Sequence, residues 1–359
     1  MSRAAENEKK GGITRNRVRV VLAVIFGVFA LVVAAGVTIG FKTRQEVVLS
    51  GKTMGTTYHI KAVVTGKMSA DHLQRLVDDR LAAINRSMSI FDPESEISAF
   101  NRASTGETVA ISAGFEEVMR EGRRIFDLTQ GAWDATVGPL VDLWGFGLKK
   151  KPDVYPDATA IETALFRVGF SEIVLEDGTL TKKRDGISLD LGSIAKGYGV
   201  DALAQLLSRK GIENYLVEVG GEVYAHGHRM DGKPWRVGIS SPERGAVSGE
   251  LFQVRTLSGQ ALATSGDYRN YVEMNGRIWT HVIDPRNGRP VENGVSSASV
   301  EADSTLFADG LATALMVMGA EKGLALVNEL PGVECLLIVR SPGGGLTVHA
   351  SKGWVSSSQ

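Results

Sequence analysis

The chain is nearly devoid of cysteine: Cys335 is the single one among 359 residues. An internal disulfide framework and a cysteine-cluster metal site are therefore both excluded. A surplus of charge of one sign is also missing, with 40 basic residues against 41 acidic ones. General nucleic-acid binders carry a basic surplus, so no nucleic-acid partner is expected. Several standard catalytic and phosphate-binding patterns are absent as well. Gly51-Lys52-Thr53 lacks the upstream glycine of a phosphate-binding loop, and no G-x-G-x-x-G opens a helix after a strand. There is no H-E-x-x-H and no G-x-S-x-G. Ser193-Ile194-Ala195-Lys196 matches the S-x-x-K of serine acyl-enzymes, but the S-D-N-like and K-T-G-like partners are missing. His226 and His228 form an H-x-H pair with no third ligand nearby, which reads as a turn or surface feature.

Apolar mass, by contrast, is plentiful: hydrophobic residues make up 43% of the chain, enough for a sizeable core. Part of it is concentrated at the amino terminus. Residues 1–19 carry Arg3, Lys9, Lys10, Arg15, Arg17 and Arg19 against Glu6 and Glu8. The 22 residues from Val20 to Phe41 carry no charge. That length suits one transmembrane helix, and the positive charge before it predicts a cytoplasmic tail over 1–19. An uncleaved anchor is expected rather than a cleaved signal, whose apolar region is shorter. Residues 42–359 would then form a domain on the periplasmic side of the inner membrane. Cys335, inside the run Glu334-Cys335-Leu336-Leu337, reads as a buried core thiol.

Periodicity predicts helices over 69–90, 112–128, 157–169, 195–210 and 304–319. A strand or hairpin is expected over 47–64, and strands over 214–225, 235–241, 251–264 and 333–340. Helices mixed with hairpin-like strands indicate an α+β fold. A weak boundary is marked by the prolines and lysines of 149–157.

Four segments are chemically loaded. Residues 131–147 pack Trp133, Asp134, Trp144 and Phe146 among glycines and Pro139, which suits either a flat heteroaromatic ligand or a plug at a core edge. Residues 188–201 run from a strand with Asp190 through a turn to a helix bearing Lys196, a plausible phosphate site. Residues 263–291 hold Ser265, Asp267, Arg269 and His281, the last either a core histidine or a positioned base. In residues 302–319, Asp309 and Thr313 are four apart on one helical face and offer oxygen donors for a hard cation.

Together these segments resemble the ApbE family, the FAD:protein FMN transferases. The resemblance covers roughly residues 48–352. It rests on MGTTYHI, MSIFDPESEISAFN, GAWDATVGPLVDLWGFG, DLGSIAKGYGVD, GGEV, SGDYRNY, THVIDPRNGRPV and ADGLATALMVMG, in that order. It implies a T-fold-like mixed α/β catalytic region with a flavin site between two lobes. It further implies magnesium-dependent transfer of FMN from FAD to a threonine hydroxyl of an acceptor protein, with AMP leaving. Met54, Phe91, Ala132, Trp133, Asp134, Asp190, Lys196 and Ile283 resemble the family's flavin-nucleotide contacts. Ser193, through its carbonyl, with Asp309 and Thr313, resembles the magnesium site. His281 would lie beside the pyrophosphate as the base. Acceptors in such a family are electron-transfer complex subunits or membrane flavoproteins. An FAD pyrophosphatase and a non-catalytic flavin carrier are the alternative readings. Many relatives are lipoproteins, and this chain departs from them in having no cysteine after its apolar segment.

Overall fold

The computed structural model describes residues 23–28, 44–66, 68–147, 155–243, 250–267, 271–274, 277–341 and 343–355. The chain divides into two compact units, Met1–Arg44 and Gln45–Gln359, and the second is not split at 149–157. In the first unit, residues 23–28 are helical. The expected anchor over 20–41 otherwise lies outside the described residues. Among the described residues no helix is long and apolar enough to cross a membrane.

An eight-stranded sheet organises the second unit. Its spatial order is Arg44–Thr53, Thr56–Thr65, Tyr215–Val219, Glu222–His226, Gln260–Gly266, Val295–Ala302, Glu334–Arg340 and Leu346–Ala350. The inner strands pair antiparallel. Antiparallel pairing beside helices that cover one face is the α+β arrangement expected from the sequence.

Side-chain alternation splits the core between the two faces. Ala261, Ala263, Ala298, Val300, Cys335 and Leu337 face the helices Ala113–Leu128 and Thr305–Met318 in the largest cluster. Leu262, Val223 and Leu336 face the other way, against a two-stranded ribbon of Trp235–Ser240 and Leu251–Leu257. Every residue of Val295–Ala302 is consequently buried. A clasp ties the ribbon to the sheet. Arg255 Nε and Nη2 donate to Glu301 Oε2 at 3.0 and 2.7 Å. The same guanidinium lies 4.2 Å from the Trp354 ring centre and donates to the Val355 carbonyl.

Two expected strands are each two strands. The segment 214–225 breaks at Gly220 and Gly221, whose φ values of +61° and +106° suit glycine and make a tight hairpin turn. The segment 251–264 turns at Gly259, φ +82°, sending Leu251–Leu257 to the ribbon and Gln260–Gly266 to the main sheet. The helix expected over 157–169 spans Ala158–Leu165 and gives way to a short 3-10 turn at Phe170–Glu172. A three-stranded sheet of Thr108–Ala110, Thr179–Lys182 and Ile173–Glu176 has strands too short to show a period.

Candidate active site

Two helices bring the charged residues together. Thr305–Met318 is apolar nearly all round and is capped twice: Ser304 Oγ accepts from Phe307 N–H, and Asp201 accepts from Ser304 Oγ and the amides of Thr305 and Leu306. Asp201 belongs to the helix Ala195–Arg209, so the cap also joins the two helices. They touch at Gly197. A Cβ there would lie 2.3 Å from the Thr305 carbonyl oxygen. The Gly197 amide donates to Asp309 Oδ2 at 2.9 Å.

This contact sets the Asp309 carboxylate, only 2% exposed, against Lys196. Lys196 Nζ lies 3.2 Å from Asp309 Oδ1 and 2.5 Å from Glu222 Oε1. The lysine stem passes over the Gly220 backbone, where a Cβ would come 3.0 Å from Lys196 Cδ. Burial alone pushes the Lys196 amine down, but the Asp309 and Glu222 carboxylates outweigh it and hold the ammonium above the ordinary lysine range. Burial pushes the Glu222 carboxyl up, and the Lys196 charge opposes that rise. A lysine so engaged does not serve as base for Ser193, whose hydroxyl instead accepts from Trp133 Nε1 at 3.0 Å. The S-x-x-K match is thus without nucleophilic meaning. The start of the helix is also less open to phosphate than expected, because Ala195 N–H already donates to Leu191 and Gly197 N–H to Asp309.

A cavity of about 430 Å3 opens on this cluster. It brings together most of the residues singled out from sequence: Ala132, Trp133, Asp134, Asp190, Ser193, Lys196, His281, Ile283, Asp309 and Thr313 all line it. A second cavity, about 580 Å3, joins it along Val141 and Asp190 and contains Phe91 and Phe146. Met54 lines neither. It sits at the turn between the first two strands with φ +47° and packs against two core clusters.

The aromatic residues divide by role. Trp133 is 2% exposed and meets Phe170 edge-on at 5.6 Å, so its ring belongs to the core. Trp144 is buried too. Its Nε1 donates to the Gly288 carbonyl at 2.8 Å, and its ring packs 5.4 Å from Trp279. Trp144 thus plugs a core edge and holds the Asp284-Pro285-Arg286-Asn287-Gly288 turn through Gly288. That turn is also tied by Asp284, which accepts from Arg286 N–H, Nε and Nη2. Flat surface for a ligand comes instead from Phe91, 77% exposed at the cavity wall, and from Phe146, edge-on to His281 at 6.4 Å.

Asp134 and Asp190 shape the loops around the cavity. Asp134 accepts from Thr136 N–H and Oγ1 and from Phe170 N–H. Burial pushes its carboxyl up while these hydrogen bonds oppose the rise. Asp190 accepts from Gly192 N–H at 2.8 Å, and burial raises it as well. The strand-like segment before it is held by Asn101, whose amide exchanges two hydrogen bonds with the Leu189 backbone at 2.9 and 2.7 Å.

Sequence reasoning missed several residues of the cleft. Glu222 follows the two-glycine turn within the GGEV motif, but it was given no role there. Ser265, noted only as part of a polar turn, donates to or accepts from Thr313 Oγ1 at 3.1 Å. Asn101 closes the MSIFDPESEISAFN motif but was given no role, and Arg102 and Arg167, which line the outer cavity with it, had no signal beyond residue type. His226 and His228 lie elsewhere: the His226 ring stacks on Tyr215 and meets the Glu213 carbonyl, a turn role as expected.

An antiparallel α+β sheet, with a buried lysine and carboxylates at the foot of an elongated cleft, defines an enzyme that handles a long, charged, partly aromatic substrate. The sequence model of the ApbE family matches residues 54–337. The chain belongs to the ApbE family. It is 43% identical over 304 residues to the FAD:protein FMN transferase of Vibrio cholerae, covering 84% of this chain and 90% of that one. It is 38% identical over 336 residues to the FAD:protein FMN transferase of Haemophilus influenzae, covering 91% and 96%. Among solved structures, the flavin transferase ApbE from Vibrio cholerae superposes with a TM-score of 0.79 at 40% identity, over 87% of this chain and 99% of that one. The apo form of the Pseudomonas stutzeri flavinyl transferase ApbE gives the same TM-score at 34% identity, over 87% and 96%.

Proposed function

We propose that this chain transfers FMN from FAD to a threonine hydroxyl of an acceptor protein, releasing AMP. The observation that carries the reading is the cluster of Lys196, Glu222, Asp309 and Thr313 at the inner end of the joined cavities. A dinucleotide laid along both cavities would bring its pyrophosphate to this cluster, with Phe91 and Phe146 beside a ring system farther out.

Asp309, Thr313 and Ser265 offer oxygen atoms only, and among the described residues no cluster of three or more histidines, cysteines and carboxylates competes as a metal site. This donor set fits a hard divalent cation such as magnesium. Asp309 and Thr313 would hold it, with the Ser193 carbonyl. When bound, it would neutralise pyrophosphate charge.

The protein's own groups do the remainder. Lys196 keeps an ammonium beside the pyrophosphate, and Glu222 fixes its position. His281 accepts the threonine proton. The threonine oxygen bonds to the FMN phosphorus as the bond from that phosphorus to the AMP oxygen breaks. Positioning and electrostatics carry such a transfer more than covalent chemistry does.

The basic residues 1–19 and the uncharged run 20–41 support a single-pass anchor at a bacterial inner membrane, with the catalytic unit on the periplasmic side.

The test incubates the full-length chain in detergent with FAD, magnesium and a threonine-bearing acceptor domain, and follows the acceptor by intact mass. A gain of FMN minus water, abolished by chelator, is the expected result. Release of FMN and AMP without that gain would instead make the protein an FAD pyrophosphatase, and tight FAD binding without turnover would make it a carrier. His281→Ala that kept the full transfer rate would remove the base from this scheme.

A further inference from the structure

Two further cavities continue from the reacting centre, away from the flavin cleft. The first is a neck of about 120 Å3, walled on one side by residues 237–240 and on the other by Gly220, Gly221 and Gly266. It shares Gly220, Thr264 and Gly266 with the central cavity. The second is a groove of about 530 Å3 that shares Val237 and Gly238 with the neck and reaches Glu46, Lys61 and Arg236. In series they form a path from the Lys196 cluster outward, on the other side of the centre from Phe91.

The make-up of the neck points to its occupant. Successive residues of a strand point to opposite faces, so a cavity lined by four in a row lies along the strand's edge. Among the described residues, Trp235–Ser240 pairs with Leu251–Leu257 in a ribbon of two strands. Its other edge therefore offers backbone N–H and C=O groups to the neck. Much of the facing wall is glycine backbone, Gly220, Gly221 and Gly266, with Leu262 and Thr264 as its side chains, so a second chain can approach closely. Such a trough suits an extended polypeptide that adds itself to a strand edge.

We infer that the acceptor protein enters along this trough as an extended segment beside residues 237–240, delivering its hydroxyl to the cavity past Thr264 and Gly266. The inference rests on the transferase reading and adds the route and binding mode of its protein substrate. Direction favours it. The two cavities that share Asp190 already provide an elongated cleft for the dinucleotide, and an in-line transfer requires the attacking oxygen to arrive opposite the leaving group. Extended chain rises about 3.3 Å per residue, so the strand edge accommodates roughly four to six acceptor residues.

The experiment uses the full-length chain and an acceptor domain that the wild-type protein flavinylates by intact mass. If the wild type gives no mass gain with any acceptor, the transferase reading itself fails. With a working acceptor, Ser240→Trp fills the neck without touching the lysine-carboxylate cluster. It should raise the acceptor KM about tenfold or more while the FAD dissociation constant stays within about twofold. A photo-crosslinking amino acid in place of the exposed Arg236 should link to the acceptor near its flavinylated residue, and this arm stands even where Ser240→Trp fails to fold. An unchanged acceptor KM, or the absence of that crosslink during turnover, would overturn the inference. Weakened FAD binding at an unchanged acceptor KM would give the neck to the nucleotide instead.

Discussion

Gly197 and Asp309 are locked to each other. The glycine amide donates to the carboxylate at 2.9 Å, and the space for a glycine side chain is already taken by the Thr305 carbonyl and the Asp309 Cβ, 2.3 and 2.8 Å from where a Cβ would stand. Backbone, unlike a flexible side-chain tip, cannot step aside. Gly197→Ala should therefore push the two helices apart, costing about 1–3 kcal/mol. It should also displace Asp309, so that transfer falls more than stability alone explains. Denaturant midpoints, set beside transfer rates measured well below the midpoint, check both parts.

Lys196 stands between two carboxylates that are 3% and 2% exposed. Lys196→Met would leave both buried without their cation, and breaking such a cluster costs about 3–5 kcal/mol. Transferase activity should be lost with it. Lys196→Arg should not restore activity, because a planar fork does not occupy the site of a compact ammonium. Glu222→Gln is the milder change. It keeps the shape, releases the ammonium toward Asp309, and should raise the magnesium concentration needed for half-maximal transfer. Thermal melts separate the stability effect from the activity effect.

Phe91 is exposed and makes no large contribution to the core, so Phe91→Ala should leave the melting temperature nearly unchanged. Loss of a stacking face should weaken FAD binding by about 0.5–1.5 kcal/mol, roughly two- to tenfold in dissociation constant. Flavin fluorescence titration reads this directly. Trp133→Ala should show the reverse balance, destabilising the fold by about 3–5 kcal/mol as a buried ring is removed.

Much of the site was legible because it lies on regular elements. Asp309 and Thr313 share a face of a helix whose apolar pattern is plain, and the helix that carries Lys196 is equally evident. The role of Glu222 was not legible, although the GGEV motif contains that residue. It owes its place to a hairpin turn at two glycines, and to the sheet order that lays that hairpin beside Gln260–Gly266. No spacing within the chain encodes that adjacency. The tryptophans were ambiguous for a different reason: residue type does not say whether an aromatic ring faces a ligand or a core. Burial decides it, and Trp133 and Trp144 are core while Phe91 is open. The small three-stranded sheet escaped because its strands of three and four residues are shorter than any period that would reveal them.

Cys335 provides a pH test of the core. Burial pushes its thiol up to about 12, with Glu334 adding to the effect. The folded thiol thus holds its proton well above the pH at which an unfolded one releases it. Its contribution to stability is complete below the unfolded value of about 8.5 and is lost as pH rises toward 12, at up to about 1.4 kcal/mol per pH unit. Cys335→Ala should flatten the alkaline fall of the unfolding free energy. In the native wild type at pH 8, the thiol should resist iodoacetamide until denaturant is added.

The clasp of Arg255 on Glu301 and Trp354 has a practical corollary for anyone shortening this chain. Trp354 and Val355 are the last described residues and contribute nothing to the flavin cleft, so they look dispensable. Yet they grip the guanidinium that fastens the ribbon to the sheet. A truncation before Trp354 would retain every side chain of the flavin cleft but slacken the far wall of the neck. An affinity tag is better placed after Val355 than substituted for Trp354 and Val355.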